Sequence, residues 1–347
     1  MSPVDISFIH FELVDREEVA HQVQLPPAKL FDYDEATATC ATSLNSQLGG
    51  KSSRILDSTE DLQTMLDSPY YKFNAPESAA AQVEDLTGHL HESSLLLDDI
   101  QDSSELRRGR PAAYRVFGVP QTINAATHAL TRAFEKVISL MKPGSSHLIE
   151  VDELRNLHVG QAMDLYWTRS GYRPSIAEYL GMNRLKFPET GALFCLASNL
   201  FYIQVSFPAG TIKQTELNDL MIALGQYFQA RDDYINLAST KYQEQKGFAQ
   251  DLDEGKLSLP LILLLTQSPN AALIENIQQE RARNNKLPAD LKQLILDEMR
   301  DQKILQVTEE TLNGLEAKVY QHLERLEVST GIKNITFRFL LDRLREM

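Results

Sequence analysis

Cysteine is nearly absent, with two residues, Cys40 and Cys195, in a chain of 347. They have neither the spacing of metal ligands nor enough partners for a disulfide framework, so a reducing compartment suits them. Long apolar runs are missing too. The longest, Leu257 to Thr266 (LSLPLILLLT), contains Pro260 and falls well short of the ~20 residues a membrane span needs. The N-terminus, MSPVDISFIHFELVDREE, has no basic leader and meets acids at Asp5 and Glu12, which argues against a signal peptide. A cytoplasmic protein without a membrane span is expected. Basic residues are outnumbered, 34 Lys and Arg against 48 Asp and Glu, giving a net charge of −14. That speaks against nonspecific nucleic-acid binding, which needs phosphate neutralisation, but leaves room for a local basic pocket. There is no P-loop, no nucleophile elbow, no Cys/His metal spacing and no repeat of fixed period.

What remains is a chain 43% hydrophobic and 24% charged, apolar enough for a large core. Helical periodicity dominates it. Ile123 to Met141 places apolar residues three and four apart and ends at Pro143-Gly144. Gly191 to Val205 is almost wholly apolar and is expected to be buried on most sides. Glu216 to Asn236 and Thr308 to Leu326 are amphipathic. Strands of period two are scarce, so the expected class is all-α. Residues 1–50 mix short apolar pieces with Pro26-Pro27, Ser, Thr and Asp, and read as an irregular extension. Residues 51–347 read as a single helical domain.

Two acidic clusters carry the chemistry. In LLLDDIQD, Asp98 and Asp102 are four residues apart, on one helix face, with Asp99 beside them. Carboxylates so placed repel each other unless a cation sits between them. Hard oxygen ligands suit Mg²⁺, which often shares its shell with substrate phosphates and water. The second cluster, Asp232-Asp233 in FQARDDYIN, ends another apolar helix. Facing each other across one cavity, the two would clamp a diphosphate through metal ions. Basic residues follow each: Arg107-Arg108 after the first, Lys246 and Lys256 after the second. Lys and Arg neutralise phosphate oxygens, and Arg fixes their orientation. A lone DDxxD is equally at home on a solvated helix face; two clusters on apolar helices, each trailed by cations, favour phosphate chemistry.

These residues resemble the trans-prenyltransferases of the polyprenyl synthetase family. They are most like a fungal geranylgeranyl diphosphate synthase or the prenyltransferase domain of a fungal bifunctional terpene synthase. The similarity runs from about Pro76 to the C-terminus through LLLDDIQDSSELRRGRPAAYRVFG, GQAMDLYW, YFQARDDYINL and KGFAQDLDEGKLSLP. It implies an isoprenoid-synthase-type helical bundle around a deep central cavity, and a homodimer. It also implies Mg²⁺-dependent head-to-tail condensation of isopentenyl diphosphate with an allylic diphosphate, in a secondary-metabolic or protein-prenylation setting. Asp98, Asp102 and Asp232 would hold Mg²⁺, with Asp99 and Asp233 in support. Arg107, Lys186, Thr190, Gln229, Asn236, Lys246 and Lys256 would surround the allylic group. Arg108 and His91 would hold isopentenyl diphosphate, as would Lys51 and Arg54 of the Gly-Lys-x-x-Arg run at 50–54. Ser93 and Ser94, five and four residues before Asp98, would leave room for a twenty-carbon product, with Leu130 and Phe134 on the next helix as further walls.

The chain departs from the family pattern in three places. The stretch from Arg54 to Pro76 is longer than usual. Phe187-Pro188-Glu189 interrupts a Lys-Thr-Gly run, so Lys186 either reaches the diphosphate through a bulge or is lost to the site. Asn236, Thr240 and Glu244, at i, i+4 and i+8, match the second metal motif of class I terpene cyclases if the helix continues through them. The alternatives to a transferase are therefore a class I cyclase and an inactive partner subunit.

Overall fold

The computed structural model describes residues 77–141, 148–185, 191–204, 213–239, 248–284, 286–331 and 333–345. These are helical apart from short connections and one two-stranded hairpin, as the all-α expectation requires.

The centre is α6 (Gly191–Gln204), whose residues from Gly191 to Phe201 are all buried. GALFCLASNLF has no polar stripe to turn toward water, so it must be covered on every side. It is covered by α1 (Glu77–Gln101), α4 (Leu148–Ser170) and α7 (Gln214–Ala238). Outside these, α3 (Val119–Leu140) packs along α1 and α12 (Ile304–Thr330) packs along α7. In α12 the buried residues Ile304, Thr308, Leu312, Leu315, Val319, Leu323 and Leu326 recur every three or four positions, forming one stripe against α7. Cys195 of α6 is buried and free; burial pushes its thiol up, so it behaves as a small apolar filler.

Shorter elements orient the polar groups. α5 (Ile176–Leu185) starts at a reciprocal cap, in which the Glu178 amide donates to Ser175 Oγ (3.2 Å) and the Ser175 amide to Glu178 Oε2 (2.8 Å). α8 (Gln250–Glu254) is bounded by left-handed residues, Ala249 (φ 46) and Gly255 (φ 72). α9 (Leu259–Gln267) tolerates Pro260 because it falls in the first turn, where the missing amide has no helical partner. α10 (Ala271–Asn284), α11 (Ala289–Asp301) and α13 (Ile335–Arg345) complete the set, with the five-residue α2 (Ala113–Phe117) before α3. Among the described residues no helix is long and apolar enough to cross a membrane.

Candidate active site

The first acidic cluster lies where α1 ends. Ser103 turns the chain with φ 57, and the Ser104 amide reaches back to the Asp99 carbonyl at 2.9 Å. Asp98 and Asp99 thus occupy the last helical turn, with Asp102 just beyond. Carboxylates at a helix C-terminus sit at the negative end of its dipole, so the site draws in cations. Arg107 answers from the hairpin that follows. There β1 (Leu106–Arg107) pairs with β2 (Arg110–Pro111) across a turn at Arg108 (φ 54) and Gly109 (φ 74), the two positive φ values of a tight hairpin. The turn folds Arg107 back: Nε and Nη2 lie 2.9 and 2.5 Å from Asp99 Oδ1, and Nη2 lies 3.4 Å from Asp98 Oδ2. Burial pushes the Asp99 carboxyl up, with Arg107 opposing. Asp98 is further oriented by Gln161 of α4, whose amide donates at 3.1 Å.

The second cluster sits in the last turns of α7, again at a C-terminus. Its two acids differ. Asp232 is half-buried, whereas Asp233 is fully enclosed. Asp233 receives the Tyr179 hydroxyl (2.6 Å), the Gln229 amide (2.9 Å), the Leu259 backbone amide (2.8 Å) and Lys256 Nζ (3.1 Å). It therefore ties α5, α7 and the start of α9 together around the Lys256 ammonium. Burial works against the charge on Lys256, but Asp233, Asp251, Asp232 and Asp164 outweigh it and hold the lysine protonated well above its usual range.

Two features bring the clusters into relation. On α4, Gln161 bonds Asp98, and Asp164 one turn further is among the carboxylates whose charge favours protonated Lys256. Ser104 Oγ donates to Glu254 Oε1 at 2.9 Å, fastening the turn after α1 to α8. A cavity of about 40 Å³, room for a few waters, opens between α1, α3 and α4. Asp98, Gln101 and Gln161 form its polar wall; Ser93, Ser94, Leu97, Leu130, Leu154 and Leu157 line the rest along with His158.

The donor set fits Mg²⁺. Asp98, Asp102 and Asp232 offer hard oxygens at two negative helix ends. Among the described residues no three potential ligands close around one point, so phosphate oxygens and water would have to complete the shell.

Other expectations meet the structure unevenly. His91 is buried on α1, and Arg108 is at the exposed hairpin tip. Gln229 directs its amide to Asp233, and Asn236 is buried with Oδ1 3.5 Å from the Asp251 amide, so it points at α8. α7 ends at Ala238, with Ser239 extended (φ −99, ψ 114), close to the end expected at Asn236. Lys51, Arg54, Lys186, Thr190, Lys246, Thr240 and Glu244 lie outside the described residues. Sequence reasoning assigned no role to Gln161, Asp164, Tyr179 or Asp251. The i, i+3 spacing in GQAMD could have flagged the first two; nothing local marks the others.

Comparison with known proteins gives the family. The polyprenyl synthetase family model matches residues 37–295. Geranylgeranyl pyrophosphate synthase 3 of Zymoseptoria tritici is 40% identical over 84% of this chain and 79% of its own. Geranylgeranyl pyrophosphate synthase 2 of Gibberella fujikuroi is 41% identical over 81% and 70%. The bifunctional sesterterpene synthase astC of Talaromyces wortmannii is 39% identical over 78% of this chain but 35% of its own, so the chain spans about a third of that relative. With the family model covering most of the chain and two synthases matched over most of their length, the protein is a member of the polyprenyl synthetase family.

Proposed function

We propose that this protein condenses isopentenyl diphosphate with an allylic diphosphate, giving a geranylgeranyl-type product. The observation that carries the proposal is the placement of two fixed cations among two acidic clusters: Arg107 against Asp98 and Asp99, and Lys256 against Asp233. Asp98, Asp102 and Asp232 would hold Mg²⁺, which supplies charge to stabilise the departing diphosphate. Arg107 and Lys256 face the same oxygens, already oriented before substrate arrives. Breaking the allylic C–O bond leaves a carbocation and diphosphate. The isopentenyl alkene forms the new C–C bond, and a proton then leaves the adjacent carbon for the diphosphate. No protein nucleophile is needed. Leu97, Leu130, Leu154 and Leu157 would shield the cation from water, and Ser93 and Ser94, as small side chains, would obstruct a growing tail less than aromatic ones.

The wider reading is a cytosolic homodimer with residues 51–347 as the catalytic domain. The exposed Val116, Phe117, Val119 and Ile123 on α2 and α3 support a subunit contact. The cyclase reading is disfavoured by Arg107, which pairs with Asp98 and Asp99 as a diphosphate-binding residue of a transferase would. Calorimetric titration tests the site. Geranyl diphosphate should bind when Mg²⁺ is present, and EDTA, Asp98→Asn or Asp232→Asn should each weaken it by at least about tenfold. Undiminished binding in all three would reject the metal clamp.

A further inference from the structure

Arg281 of α10 lies far in sequence from both clusters, yet it touches the loop that carries Lys256. Its Nε donates to the Asp253 carbonyl at 2.6 Å. Its guanidinium packs on Gly255 so closely that an added Cβ would meet Nη1 at 2.7 Å and Cζ at 2.8 Å. Gly255 also has φ 72, so glycine is required there by both backbone and space. Burial works against the charge on Arg281 and pulls its pKa down, with the carboxylates of Asp102, Glu254 and Asp253 opposing. One of these, Asp102, belongs to the first cluster. Another, Glu254, is hydrogen-bonded to Ser104, two residues past Asp102. The guanidinium thus braces the segment at Asp253 and Gly255, and Glu254 within that same segment is fastened to Ser104 of the turn after α1.

We propose that Arg281 is a positioning residue of the allylic side, clamping the Asp253–Lys256 segment and the Asp102 turn into one frame and so fixing where the Lys256 ammonium stands relative to the first acidic cluster. The proposal rests on the condensation reading for its kinetic consequence, but the clamp itself is a property of the metal-free protein. The Asp253 carboxylate is held separately by Lys292 Nζ (2.5 Å) and by the Leu287 amide (3.1 Å). Removing Arg281 therefore loosens the end of the segment without detaching its start.

The test is Arg281→Gln, read in two ways. Hydrogen exchange on the metal-free protein follows the Lys256 amide, which donates to the Asp251 carbonyl at 2.9 Å. That amide should exchange about tenfold faster in the variant, while amides of α6 stay unchanged. In steady-state kinetics with Mg²⁺, KM for the allylic diphosphate should rise about tenfold and KM for isopentenyl diphosphate should not move. A merely structural role would lower the active fraction and leave both KM values alone. Gly255→Ala, which displaces the guanidinium from the opposite side, should give the same pattern. Unchanged exchange at Lys256 in both variants, or equal effects on both substrates, would overturn the proposal. If the wild type catalyses no condensation, the functional reading fails while the exchange measurement still decides whether the clamp exists.

Discussion

Asp232 and Asp233 are neighbours of one residue type, and their surroundings give them different work. Asp233 is enclosed and engaged by four donors. Asp233→Asn would turn one acceptor into a donor facing donors and leave Lys256 without its nearest counter-ion. Denaturant unfolding should show a loss of about 3–5 kcal/mol, the usual cost of breaking a buried pair from one side. Asp232 is half-buried, and Asp232→Asn should cost less than about 1 kcal/mol of stability. It should nonetheless lower kcat/KM by about 10²–10³, because in the proposed reading its carboxylate would hold the Mg²⁺ that supplies charge to the departing diphosphate. Equal stability losses in the two variants would contradict this division. The sequence shows both acids but not the difference, since burial and partners come from α5 and α9, which are distant in the chain. Gln161 and Asp164 were visible as a block yet had no assigned role, because a lone amide and a lone acid have many uses. Arg281 and Lys292 were invisible: no local pattern places α10 and α11 beside DEGK.

At the scale of elements the sequence was a better guide. The stripe of α12 and the uniformly apolar α6 follow from periodicity alone, and their burial confirms it. Leu200 of α6 is fully buried, so Leu200→Ala should cost about 2–5 kcal/mol and lower Tm. The hairpin at Leu106–Pro111 was not anticipated, because two-residue strands carry no alternation to read. The stop of α7 at Ala238, by contrast, falls within two residues of the end read from the amphipathic run Glu216 to Asn236. The docking of α13 on α12 has a pH signature. Glu327 accepts Nε and Nη2 of Arg338 at 3.0 and 2.6 Å and the Asn334 amide at 2.8 Å. The Arg338 hydrogen bonds hold the Glu327 carboxyl below its ordinary 4.5. A carboxylate whose pKa falls on folding stabilises above the unfolded value, and that stability is lost as pH drops through the folded one. Below pH 4.5 limited proteolysis should therefore cut near residues 331–334 increasingly fast, and Glu327→Gln should show the fast cutting already at neutral pH. A cleavage rate independent of pH in both proteins would refute the pairing.

For the whole molecule, the two acidic helix ends and the cations paired with them fit the proposed condensation, and a subunit contact and a twenty-carbon product would be its outward signs. On the proposed homodimer, Phe117→Asp with Ile123→Asp should shift sedimentation from dimer to monomer, since both side chains are exposed on α2 and α3; a wild type that sediments as a monomer would reject the dimer itself. The most direct measurement is to incubate the purified chain with Mg²⁺, isopentenyl diphosphate and each of the five-, ten- and fifteen-carbon allylic diphosphates, then extract with organic solvent before and after phosphatase treatment. The account predicts a prenol, chiefly of twenty carbons, that appears only after phosphatase and only when isopentenyl diphosphate is supplied. A hydrocarbon or cyclic alcohol formed from an allylic diphosphate alone, without phosphatase, would contradict it.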